Sequence, residues 1–177
     1  DLVNEPGSKI KPIDLVRSAQ EIAELSPNIS LRTFDEAQLE REGYTALLAV
    51  AAGSEEKPYL IHLHYKPNNS KGSIALVGKG VTFDSGGLGI KPWSSMLGMK
   101  GDMAGAATVL ATVQAIAELE NLGQIIPVEI HGVIVTTENM ISGKAMRPDD
   151  IITTKNGKTI EVLHTDAEGR LILADAL

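Results

Sequence analysis

Beyond Lys11, apolar residues fall at Ile13, Val16, Ala19, Ile22, Ala23 and Leu25, a spacing that predicts an amphipathic helix. Pro12 suits its first turn, and Pro27 marks its end. Ile29 to Phe34 alternates apolar and polar positions as a short strand does, Asp35 is placed to cap a short helix running through Arg41, and Gly43 would stop that helix. Three aliphatic runs follow: Ala46 to Ala51, Tyr59 to Tyr65 and Ser73 to Val77. Each is short and bounded by Gly, Pro, Asn or Ser, so all three read as strands. Periodicity then disappears from Gly78 to Gly101, a stretch with seven glycines and one proline. It reads as a long loop, and such loops within compact domains tend to carry function.

Asp102 to Leu119 is alanine-rich and apolar over most of its surface, which predicts a helix buried on a sheet. Ile125 to Val135 is the best candidate for a central strand. Ile151 to Lys155 and Lys158 to Leu163 flank Asn156-Gly157, a hairpin signal, and the chain closes on the helix-like run RLILADAL. Alternating strands and helices predict an α/β sheet covered by helices, with antiparallel pairing from the hairpin.

Composition narrows the chemistry. The 177 residues suit about one domain, and 43% hydrophobic with 22% charged residues is an ordinary globular balance. Cysteine is absent, which excludes disulfides, thiolate metal sites, iron–sulfur clusters and a cysteine nucleophile. Aromatics make up 3%, too few for base-stacking platforms, and a net charge of −7 repels phosphate backbones, so nucleic acid is not an expected partner. No window approaches the ~18 consecutive apolar residues of a membrane helix, and no basic-then-apolar leader opens the chain. A cytoplasmic protein with no membrane partner is expected. The chain opens at Asp1 without a methionine and stops at Leu177 inside an apolar run, as a piece of a longer protein would.

Strand Ser73 to Val77 leads straight into GKGVTFDSGG, so Lys79 and Asp84 lie just past a strand's carboxyl end, where open α/β sheets place ligands. Lys91 follows closely, Asp102 opens the alanine-rich helix, and Thr165-Asp166-Ala167-Glu168-Gly169-Arg170 lies between the hairpin and the last helix. Asp84, Asp102, Asp166 and Glu168 converging in one cleft would repel unless cations sat among them, and oxygen ligands favour divalent ions. A two-metal hydrolytic site is the economical arrangement. One of Lys79 and Lys91 could serve as a neutral amine donor and the other as a cation facing an oxyanion, while Arg170 could hold a small planar anion. Each residue alone has a plainer reading: Asp102 as a helix cap, the lysines as surface charges, the glycines as turns.

Other motifs fail. Gly157-Lys158-Thr159 lacks the earlier glycine of a phosphate loop, since Ile152 occupies that place, and H-E-x-x-H is absent. Ser85, Ser94 and Ser95 lack a histidine partner in the sequence pattern. His62 and His64 share one strand face, and read first as partly buried, hydrogen-bonded residues and only second as a ligand pair.

The combination VGKGVTFDSGG (Val77 to Gly87), GIKP (Gly89 to Pro92), MKGDMAGAA (Met99 to Ala107), ENMISGKAMRPDD (Glu138 to Asp150) and GKTIEVLHTDAEGRLILADAL (Gly157 to Leu177) closely resembles the leucyl aminopeptidase family of cytosolic dizinc aminopeptidases. The opening DLVNEPGSKIKP resembles the family's entry into its catalytic domain. The resemblance implies a mixed, mostly parallel sheet sandwiched by helices, forming a partial catalytic domain over 1–177. Residues 1–72 would supply the entry helix and first strands and 73–177 the metal-site core, with an N-terminal domain and a C-terminal remainder lying outside the chain.

It also implies roles. Lys79, Asp84, Asp102, Asp166 and Glu168 match metal ligands: Lys79 and Asp102 for the tighter zinc, Asp166 for the exchangeable one, Asp84 and Glu168 shared. Lys91 matches a catalytic, substrate-contacting lysine, Arg170 an arginine that anchors bicarbonate as general base, and Met99 a residue lining the substrate pocket. The implied cofactors are two divalent ions, zinc with manganese or magnesium as candidates for the exchangeable site, plus bicarbonate. The implied activity is removal of N-terminal residues, leucine-like ones preferred, from peptides with a free N-terminus, by water activated between the two metals in a homohexamer. A regulatory or DNA-associated protein on the same fold, and another dinuclear hydrolase such as a phosphatase, are the alternatives. One departure stands out: the family usually has Asn where this chain has His164.

Overall fold

A computed structural model describes all residues, 1–177. Helix α1 (Pro12–Ala23) buries Leu15, Val16, Ala19 and Ile22 on one face, and the Asp14 carboxylate accepts the Lys11 amide at 2.8 Å to close its start. Strand β1 (Ile29–Phe34) and helix α2 (Glu36–Glu42) follow as expected. At the start of α2 the capping exchange is reciprocal: Asp35 Oδ1 accepts from the Gln38 amide at 2.8 Å, and Gln38 Oε1 accepts from the Asp35 amide at 3.0 Å. Gly43 ends the helix in the left-handed region, φ 77°.

The run Ala46 to Ala51, read as a strand, is instead helix α3 (Thr45–Ala51). Its Ala and Leu residues favour helix, and the decisive contact is remote. Asp175, on the last helix, accepts the Ala46 and Leu47 amides at 2.8 and 3.0 Å, capping the first turn from 129 residues away. No local pattern records that cap.

Strands β2 (Tyr59–Tyr65), β3 (Ser73–Asp84) and β4 (Glu129–Asn139) complete a four-stranded sheet of order β1-β2-β4-β3. The sheet is mixed, but the balance differs from a mostly parallel one: β1/β2 and β2/β4 are antiparallel, and only β3/β4 is parallel. The connections explain this. Each of the seven-residue helices α2 and α3 between β1 and β2 is only about 10 Å long, too short to return along a strand of about 20 Å. The 18-residue helix α5 (Ala104–Asn121), about 27 Å long, can return, and it links the one parallel pair.

β3 runs on through Gly78 and Gly80 to Asp84, into what reads in sequence as loop. These glycines permit close packing: a Cβ on Gly78 would lie 2.8 Å from the Gly105 carbonyl oxygen and 2.9 Å from Ala106 Cα at the start of α5. The rest of the expected loop contains the short helix α4 (Trp93–Met96) and a 3₁₀ turn, Met99–Gly101. Strands β5 (Ile151–Thr153) and β6 (Thr159–Glu161) form the expected hairpin, with Gly157 at φ 81°, and helix α6 (Glu168–Ala176) follows a 3₁₀ turn at Thr165–Ala167.

Both sheet faces are covered. Against α1 and α5 lie Ile61, Leu63, Tyr65, Ile130 and Ile134; against α3, α6 and the hairpin lie Leu60, Val81 and Val135. No helix is long and apolar enough to cross a membrane.

Candidate metal centre at the end of the parallel strand pair

Three separate stretches of chain meet beyond the carboxyl ends of β3 and β4. β3 supplies Lys79 and, as its last residue, Asp84. The glycine-rich turn that follows supplies Lys91, and Asp102 ends the 3₁₀ turn before α5. The second 3₁₀ turn and the first residue of α6 supply Asp166 and Glu168. Asp84 and Glu168 are only 2% and 1% exposed.

Two ammonium groups organise the carboxylates into two sets. Lys79 Nζ lies 2.7 Å from Asp102 Oδ2 and 2.6 Å from Glu168 Oε1. Lys91 Nζ lies 2.8 Å from Asp84 Oδ2 and 2.5 Å from Asp166 Oδ1. Burial opposes the charge of both lysines, yet the contacts with Asp102 and Glu168, and with Asp166 and Asp84, outweigh it and raise both pKa values. Burial likewise raises the pKa values of Asp102 and Glu168, offset only in part by Lys79.

Asp102 Oδ2 and Asp166 Oδ1 are buried within ion-pair distance of an ammonium, but neither accepts a hydrogen bond with good geometry. With four carboxylates against two ammonium groups, the cleft keeps excess negative charge. Oxygens of Asp84, Asp166 and Glu168 lie within 4.8 Å of one another, and these three could share a cation. Asp102 joins them through Lys79. It does not cap α5, whose flanking residue is Met103 and which has no side-chain cap, so the helix-cap reading of Asp102 fails.

The backbone is shaped to bring these groups together. A Cβ on Gly169 would lie 2.7 Å from Lys79 Cε and 2.9 Å from its Nζ, so only glycine leaves room for that side chain over the start of α6. Gly86 has φ 87°, and its amide donates to Asp84 Oδ1 at 2.9 Å.

Two contributors escape sequence reasoning. Asn139, the last residue of β4, is paired with Asp84 across the sheet, and its Nδ2 donates to Asp84 Oδ1 at 2.8 Å and to the Thr165 carbonyl at 3.1 Å. Thr165 Oγ1 donates to the Gly86 carbonyl at 2.6 Å and accepts from the Gly89 amide at 2.7 Å, tying the glycine turn to the segment before α6. A polar residue ending an apolar strand, as in Glu138-Asn139, is the one signal that could have pointed to Asn139.

The remaining predicted residues lie around this cluster. Arg170 is exposed on α6 and lines, with His164, Asp166 and Leu163, a groove of about 680 Å³. Met99 lines a smaller hollow of about 280 Å³ with Phe83, Trp93, Met96 and Leu97. His164 Nδ1 accepts the Asp166 amide at 3.0 Å, a capping role that an asparagine could fill. His62 and His64 lie elsewhere, on the β2/β4 part of the sheet.

Over residues 1–177 the chain matches the family described as "Cytosol aminopeptidase family, catalytic domain". It is similar over its whole length to proteins named "Probable cytosol aminopeptidase" from Persephonella marina (51% identical over 177 residues), Sulfurihydrogenibium sp. (49% over 177) and Aquifex aeolicus (51% over 178). The chain spans about a third of the length of these curated relatives, 34 or 35% of each.

Proposed function

The chain belongs to the cytosol aminopeptidase family, and from that premise we propose that it carries the hydrolytic centre of a metal-dependent aminopeptidase removing leucine-like N-terminal residues from peptides. The observation that carries the reading is the convergence of Lys79, Asp84, Lys91, Asp102, Asp166 and Glu168 from three stretches of sequence into one cleft.

The donor set fits hard or borderline divalent ions: carboxylate oxygens, one amine, and two buried oxygens without an aimed donor. Lys79 and Asp102 would hold one ion and Asp166 the other, with Asp84 and Glu168 shared. The division into a Lys79 set and a Lys91 set favours two centres over one. When bound, the ions would supply Lewis acidity and lower the pKa of water.

The chain's own residues do the rest. Lys79 must give up its proton to become a ligand, so ion affinity falls as pH drops. Lys91, four residues past the glycine pair, presents an ammonium to the charge that develops on the scissile carbonyl oxygen. Arg170 would hold bicarbonate in its guanidinium fork, where that anion would supply a general base beside the cleft. The hollow lined by Met99, Phe83 and Trp93 accepts an apolar side chain of the substrate's first residue.

We extend the proposal to a partial catalytic domain, 1–72 supplying the entry helix and first strands and 73–177 the metal-site core, within a cytoplasmic homohexamer. Light scattering on the assembled protein tests the hexamer. The test of function is metal-dependent hydrolysis of leucine anilide, with phosphate esters as the control substrate. Turnover of the anilide that Asp166→Ala abolishes and that Lys91→Ala lowers by about 10² to 10³ in kcat is expected. Turnover surviving both substitutions, or preference for the phosphate ester, would overturn the reading.

A further inference from the structure

The sheet face covered by α3 and α6 carries Leu60, Val133 and Val135, then changes character. Its uncovered part presents His62 and His64 from β2 and His131 and Glu129 from β4, with His64 directly opposite His131 in the register. The three imidazoles stack: ring centres are 4.3 Å apart for His64 and His131 and 5.2 Å for His62 and His131. Glu129 Oε1 lies 2.5 Å from His64 Nε2 and 3.6 Å from His131 Nε2. The groups are half-buried yet open to solvent, at 23%, 24% and 30% exposure for the His64, Glu129 and His131 side chains.

We propose that His64, His131 and Glu129 form a second metal site, selective for a divalent transition ion of the zinc, copper or nickel type, with His62 as the residue that positions His131. One nitrogen or oxygen from each of the three lies within 4.8 Å of the others, and small side-chain adjustments, with His64 Nε2 and Glu129 Oε1 moving apart from 2.5 Å, give the ~3 to 4 Å separations of donors bound at about 2.0 to 2.2 Å. Two imidazoles and a carboxylate with an open fourth position is a zinc-type set, and magnesium or calcium would prefer the oxygen-rich cleft described above.

Hydrogen bonding favours the required state. His62 Nε2 and His131 Nδ1 are 2.9 Å apart; with His131 Nδ1 donating, its Nε2 lone pair is free on the side facing Glu129. An ion bound here would replace the 2.5 Å hydrogen bond between His64 Nε2 and Glu129 Oε1. Nothing here rests on the hydrolytic reading, since the two sites share no residue.

The test uses the metal-stripped full chain with Cu²⁺ as the probe, read by electron paramagnetic resonance. The proposal expects one bound equivalent with splitting from two imidazole nitrogens. No residue assigned to the carboxylate cleft is a histidine, so that signature reports the β2/β4 cluster and should persist in Asp84→Asn. His64→Gln and His131→Gln should each lose the two-nitrogen signal and bind Zn²⁺ at least 10-fold more weakly. His62→Gln should keep the signal and lose about 10-fold in Zn²⁺ affinity. Absence of the two-nitrogen signal from the wild-type chain overturns the site without any variant having to fold. Its persistence in both His64→Gln and His131→Gln does so as well.

Discussion

The two polar clusters of this sheet are built on opposite terms. In the carboxylate cleft, acids from three stretches are forced together, Asp84 and Glu168 almost fully buried and Asp102 and Asp166 partly so, and only two lysines offset their repulsion. In the histidine cluster, the groups come from two adjacent strands, keep contact with solvent, and are satisfied by hydrogen bonds to one another. The first arrangement costs conformational freedom and tolerates little change in the surrounding backbone. The second needs only a register of paired strands. The contrast shows how one sheet can hold two donor sets of different hardness without mixing them.

The largest test of the contrast is removal of a buried acid. Asp84→Ala should abolish anilide hydrolysis, and Lys91→Ala should reduce kcat by about 10² to 10³ if its ammonium faces the developing oxyanion. Steady-state kinetics check both, and a Lys91→Ala enzyme with unchanged kcat would remove that lysine from the chemistry.

The next test concerns the backbone that holds the cleft together. Gly78→Ala places a Cβ 2.8 Å from the Gly105 carbonyl oxygen, a backbone atom that cannot swing away, and should cost about 1 to 3 kcal/mol in denaturant unfolding. Asp175→Ala removes the remote cap of α3 and should cost about 0.5 to 2 kcal/mol. If Asp175→Ala unfolds at the wild-type midpoint, the explanation given for α3 is wrong.

The lysines make a pH-dependent contribution. Lys79 and Lys91 hold their protons more tightly folded than unfolded, so in the metal-free chain their stabilisation is full below pH 10.5, the unfolded value, and is lost as pH rises through the folded values. The denaturant midpoint should therefore fall above pH 10.5, and fall less steeply in Lys91→Met.

The smallest effect is expected at His164. Both His and Asn can accept the Asp166 amide, so His164→Asn should change stability by no more than about 0.5 kcal/mol. Its effect should appear instead in the metal-dependence profile, because an imidazole two residues from Asp166 offers a ring nitrogen to an ion where an amide offers a weaker oxygen donor. Identical profiles for the two proteins would dismiss that role.

Several parts of the fold were legible because their signals are local. Strand Ile29 to Phe34 alternates, Asp35 and Gly43 bracket α2 with a cap and a stop, and Asn156-Gly157 makes the hairpin. Where reading failed, a distant partner had supplied the missing term. Ala46 to Ala51 looked like any short aliphatic run until Asp175 capped it. Gly78 and Gly80 looked like turn residues until α5 packed against them. Of the cleft, the acids and lysines stood out by type and motif, but Asn139 and Thr165 did not. Their importance lies in what they bridge, Asp84 with the Thr165 carbonyl and Gly86 with Gly89.

What the sequence determined by itself was the inventory: oxygen and nitrogen donors without thiolates, their placement at strand ends and helix starts, and the motifs tying them to one family. The tertiary structure alone decided which donors meet. It divided the cleft between Lys79 and Lys91, turned two antiparallel strand pairs and one parallel pair into a single sheet, and set His64 opposite His131. The physical reason is that residue type and spacing act over a few neighbours, whereas charge pairing, close backbone approach and strand register depend on chain segments that only packing brings within a few ångströms.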